Sequence, residues 1–81
     1  MNMRDFLKAI DSGKTGFDPA SESENDLSTF QSTAKIAQEA YERGYIEFLK
    51  LHRESYSAYR LIDAVLASGL TDAGREHLSD I

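Results

Sequence analysis

Apolar residues near the start of the chain, Met3, Phe6, Leu7 and Ile10, are spaced 3, 1 and 3 apart. Residues three or four apart share one face of an α-helix, so this spacing predicts a helix over 3–11, with Gly13 as its stop. Residues 11–25, DSGKTGFDPASESEN, break the pattern. They collect Gly, Pro, Ser and Asp, which compete with regular backbone pairing, and they predict a loop in which Asp18 and Pro19 are suited to capping a single helical turn.

The clearest periodicity follows, with Leu27, Phe30, Ala34, Ala37 and Tyr41 repeating at 3, 4, 3 and 4. It predicts a helix over 26–43, with Asn25 or Asp26 as N-cap and Gly44 beyond its end. Ile36 and Ala40 widen the apolar arc to about half the circumference, as expected of a helix that packs on two sides. Its polar strip is Ser28, Gln31, Lys35, Glu39 and Glu42.

Beyond Gly44 two readings stand side by side. Strands near 45–53 and 58–67, joined through RESYSA, suit the aromatic and β-branched residues. In that hairpin Ile62, Ala64 and Leu66 face the core, with Tyr59, Leu61, Asp63 and Val65 on the reverse. A helix puts Tyr59, Ile62, Val65 and Leu66 on one face and ends at Gly69. Thr71 as N-cap and Asp72 in the first turn predict a last helix over 72–80. Gly74 weakens that helix by roughly 1 kcal/mol relative to Ala, so Leu78 and Ile81 must dock on the body.

The stretch from Ala34 to Leu78 resembles the C-terminal part of a winged-helix domain. Gly44, Tyr45 and Ile46 stand where a helix leads into the β-hairpin wing, and Leu70, Thr71, Gly74, Arg75 and Leu78 match a Leu-Thr-x-x-Gly-Arg-x-x-Leu motif that starts the closing helix. The resemblance favours the hairpin and implies a single α+β, winged-helix-like domain over 1–81, with helices packed against a C-terminal β-hairpin followed by a short helix. It covers a little over half the chain. The departure is the loop 11–25, where that superfamily usually has a distinct helix and a tight turn.

The resemblance also implies that helix 26–43 is a recognition helix and the hairpin a wing. The nucleic-acid-binding residues would then be Ser28, Gln31, Ser32 and Lys35, with Arg53, Ser55, Ser57 and Arg60 on or near the wing. Charge opposes this. The 81 residues carry nine Lys and Arg against fourteen Asp and Glu, a net charge of −5. Residues 26–53 are neutral overall and no basic patch is visible, whereas phosphate neutralisation requires one. A Glu39–Arg43 pair on the strip is what an ordinary solvated helix face carries.

Other chemistry is sparse. With no cysteines, neither a disulfide nor a thiolate metal site holds the fold. His52 and His77 are the only residues suited to acid–base work near neutral pH, and no motif joins either to a nucleophile or a second ligand. GKTG at 13–16 lacks the full phosphate-loop spacing and a preceding strand, and reads as a turn. The expectation is therefore a non-enzymatic protein without cofactor, metal or small-molecule substrate. No apolar run is long enough to cross a membrane and the N-terminal stretch is interrupted by charge, which favours a cytoplasmic location. The remaining partners are double-stranded DNA or a second protein surface. Leu61 and Val65, with Leu49 or Leu51, are expected on the uncovered hairpin face, for which a homodimer is the simplest cover.

Overall fold

The computed structural model describes residues 2–21, 23–53 and 61–79. Helix α1 (Met3–Asp11) is followed by strand β1 (Gly16–Phe17), helix α2 (Glu24–Glu42), strands β2 (Ile46–Arg53) and β3 (Ile62–Leu70), and helix α3 (Asp72–Ser79). The three strands form one antiparallel sheet in the order β1-β3-β2. The chain past Gly44 is thus a hairpin, and the helical reading of 59–67 is set aside for the residues described. The protein is α+β, extending 39 Å along its longest axis and 19 Å across.

Local chemistry sets each boundary. Asn2 caps α1 by accepting the Asp5 N–H at 2.8 Å. The start of α2 lies two residues before the expected 26, because Ser23 is its cap and accepts from the Asp26 N–H at 3.2 Å. Ser21 donates to the Asp26 carboxylate at 2.6 Å, so Asp26 serves from inside the first turn and not as the cap. At the other end the Gly44 N–H reaches Tyr41 O at 3.1 Å and the Tyr45 N–H reaches Ala40 O at 2.9 Å. This 6→1, 5→2 closure requires a left-handed residue, and Gly44 supplies it with φ +76°.

Leu7, Ile10, Phe30, Ala34, Ala37 and Val65 lie in one buried cluster that joins α1, α2 and the sheet. As its wide apolar arc implied, α2 packs against α1 as well as β2 and β3. Tyr41 departs from expectation. Ala40 takes the buried position, and the Tyr41 side chain stays half exposed.

Two further expectations fail, each for a tertiary reason. The loop 11–25 contains β1, in which Gly16 pairs with Leu66 and Phe17 with Val65. Phe17 is 3% exposed and its ring lies 4.9 Å from that of Phe6. Two residues are too few to show alternation, so only packing reveals this strand. On β3, Ile62, Val65 and Ala67 are the buried positions and Leu66 is exposed, not the expected set Ile62, Ala64 and Leu66. The register explains it. Arg53 pairs with Ile62 but His52 with Ala64, which leaves Asp63 as an extra residue on β3. A bulge of this kind reverses the inside–outside phase, so Ile62 and Val65 share a face although they are three apart.

The Leu70–Thr71–Gly74 segment closes the fold. Thr71 accepts the Gly74 N–H at 3.1 Å as N-cap of α3, donates its hydroxyl proton to Gly44 O, and gives its own N–H to Tyr45 O at 2.9 Å. A Cβ on Gly74 would overlap the Tyr45 carbonyl and Leu70 Cδ1. What Gly74 costs in helix propensity is therefore the condition for α3 to approach this closely. Leu78 docks on the core as expected, while Ile81 lies outside the described residues.

Candidate functional site

The surface strip of α2 is built by its 3.6-residue period. Ser28, Ser32 and Lys35 are exposed on it. Gln31 is not available there: its amide is half-buried and bonded at both ends to one residue of β3. Gln31 Nε2 donates to Ile62 O at 2.7 Å and to Leu27 O at 2.9 Å, and Gln31 Oε1 accepts the Ile62 N–H at 3.0 Å. A primary amide presents one acceptor and two donors, so it satisfies both backbone groups of Ile62 as another strand would. Ile62 is in turn the register partner of Arg53. The fold thus brings α2 and the far end of β2 together at Gln31, a residue for which the winged-helix resemblance implies base contact.

Arg53 is exposed at the end of β2, whereas Ser55, Ser57 and Arg60 lie outside the described residues. The charges around the α2 strip are mostly negative. Glu24 and Asp26 occupy its first turn, and Glu39 and Glu42 follow, against Lys35 as the single base within the helix. Lys35, Gln38, Glu39 and Glu42 line a shallow polar depression. Glu39 is already engaged by Arg43 at 2.9 Å. The Tyr45 side chain first, and Glu39 second, raise the Arg43 pKa further, so this guanidinium stays charged throughout the working pH range.

His52 and Asp63 form a contact that the sequence did not announce. His52 Nδ1 lies 2.6 Å from Asp63 Oδ1, across the hairpin at the bulge. The extra residue places the carboxylate beside a ring that is itself well exposed. A carboxylate orients an imidazole for proton transfer, but neither residue has a further hydrogen bond to a hydroxyl group among the described residues. Among those residues no cluster of His, Asp and Glu suits a metal ion. His77 is packed, stacking on Tyr45 with ring centroids 4.9 Å apart. In the GKTG stretch, Lys14 sits over the Phe17 ring at 4.9 Å and Thr15 O accepts the Ala67 N–H at 3.0 Å, so it leads the chain into β1.

The outer face of the sheet offers a different surface. Phe48 is 48% and Leu66 47% exposed, and both border a groove of about 210 Å³ with Thr15, Ala67 and Ser68. An uncovered face is expected here from sequence, but with Leu61, Val65 and Leu49 or Leu51 on it. Val65 is fully buried, and Leu49 and Leu51 pack against the core. The bulge at Asp63 shifts the phase of β3 and substitutes Leu66. Beside this face, β2 is the edge strand. Among the described residues, the backbone of Ile46–His52 hydrogen-bonds to no element except β3.

No helix among the described residues is long and apolar enough to cross a membrane. Comparison with known proteins finds no matching family model, no similar curated protein and no similar solved structure, so the surfaces above carry the functional argument by themselves.

Proposed function

We propose that this protein is a non-enzymatic interaction module that binds another polypeptide through its β-hairpin. The observation that carries this reading is the coincidence of an open strand edge, along Ile46–His52 of β2, with exposed Phe48 and Leu66 on the adjoining sheet face. Unpaired strand edges associate with other strands unless they are blocked, and exposed large apolar side chains strengthen such contacts.

Winged-helix-like DNA binding is the second reading. The order of parts favours it: the hairpin follows α2, α3 follows the Leu-Thr-x-x-Gly segment, and Ser28, Ser32 and Lys35 are exposed on α2. Electrostatics weighs against it, because four carboxylates on α2 face a polyanion with one lysine in support. The stretch between α1 and α2 also holds β1, and no helix among its described residues.

Titration with random duplex DNA at low salt, followed by backbone NMR, separates the two. The interaction module predicts no salt-sensitive shifts along residues 28–35. Shifts clustered there, and abolished by Lys35→Glu without loss of fold, would establish DNA binding and overturn the first reading.

A further inference from the structure

We infer that the partner of the β2 edge is a second copy of this chain, joined antiparallel about a two-fold axis centred on Lys50. The inference rests on the hairpin being the interaction surface and goes further by naming the occupant and the register.

The geometry restricts the choices. A two-fold axis perpendicular to the sheet keeps the helix-covered faces of both copies on the same side. Residues directly opposite one another must then share a face, so the axis passes through a residue and not between two. Two centres use nearly the whole of β2, Leu49 and Lys50. Centred on Leu49, the pairing sets Glu47 against the partner's Leu51 and Phe48 against the partner's Lys50. Each charge then meets an apolar side chain.

Centred on Lys50, the same strand is complementary to itself. Glu47 stands opposite the partner's Arg53, and Arg53 opposite the partner's Glu47, giving two cross-strand ion pairs. Leu49 meets the partner's Leu51 on the helix-covered face, where both already pack against the core. Phe48 meets the partner's His52 on the outer face, which covers the exposed ring. Lys50 faces its own copy at the axis. It lies on the open face, where its long stem carries the ammonium into solvent. The sheet becomes six-stranded and continuous, with the two β1 strands at its outer edges.

Sedimentation equilibrium at about 100 μM, suited to a micromolar association, should give twice the chain mass of 9.1 kDa. A monomer there overturns the inference. Glu47→Arg and Arg53→Glu, examined alone, should each weaken the dimer at least tenfold, because each sets like charges opposite one another. Mixed in equal amounts, the two variants restore opposite charges at both cross-strand pairs and should recover the dimer. Recovery also shows that both variants are folded; a mixture that stays monomeric although both give native-like NMR spectra refutes the register.

The chain has no cysteine, so cross-linking provides an independent measure. Directly opposed Cα atoms lie about 4.5–5.5 Å apart, within disulfide range. Lys50→Cys should therefore oxidise to a covalent dimer. Phe48→Cys, offset from its copy by four residues or about 14 Å, should not. Cross-linking at 48 in preference to 50 refutes the Lys50 centre. DNA binding is read in a separate titration, so failure of the dimer and failure of the interaction reading are distinguishable.

Discussion

The two edges of the sheet are opposites. At one, β1 is only two residues long, yet Phe17 is buried against Phe6 and covered by Lys14. At the other, β2 has eight residues, most of them exposed, and carries Glu47, Lys50 and Arg53. The short edge is anchored by a buried side chain, whereas the long edge carries charge. A side chain that enters the core stabilises the monomer, and a strand of two residues offers little backbone for another chain to pair with. Charged residues only select what pairs at the long edge.

The largest effect is expected at the short edge. Phe17→Ala removes a ring that contacts Phe6 and should destabilise the domain by about 3–5 kcal/mol, measured by urea unfolding at a concentration where the protein is monomeric. A loss below about 1 kcal/mol, the scale of an ordinary surface change, would show that β1 is not held by its side chain. Next comes the Gln31 bracket. Gln31→Ala leaves the Ile62 N–H and C=O without their amide partner, and about 1–3 kcal/mol should be lost. Amide exchange at Ile62 should accelerate more than at Ala67, which stays paired in mid-sheet. Equal acceleration at both would mean that the bracket does not hold the bulged end of β3. The smallest stability change belongs to the open edge. Phe48→Ser should alter monomer stability by no more than about 0.5 kcal/mol while weakening self-association several-fold, as read by sedimentation. Stability and association moving together would erase the contrast between the edges.

The helices were legible because their signals are local. Spacing marked α1 to within its observed bounds, and the α2 periodicity located its buried stripe apart from Tyr41. The α2 cap is Ser23 and not the expected Asn25 or Asp26, because Ser21, Ser23, Asn25 and Asp26 are all competent caps and the hydrogen bonds among Ser21, Ser23 and Asp26 decide between them. The sites were less legible. The helical period places Gln31 on the polar strip of α2, at its periphery. Nothing local indicates that a strand end with an unsatisfied amide lies within reach. His52 and Asp63 are eleven residues apart in sequence and meet only because the bulge turns Asp63 toward the ring.

By itself, the sequence determined the acidic balance, which is composition alone, and the helices with the glycines that end α1 and α2, which depend on residues within a turn or two. Local pattern leaves residues 59–67 open between strand and helix, and tertiary structure alone decides that Phe17 belongs to a strand and that Leu66 faces solvent in place of Val65. Those outcomes depend on hydrogen bonds and packing between segments distant in the chain, and a one-residue change of register there reverses which side chains face the core.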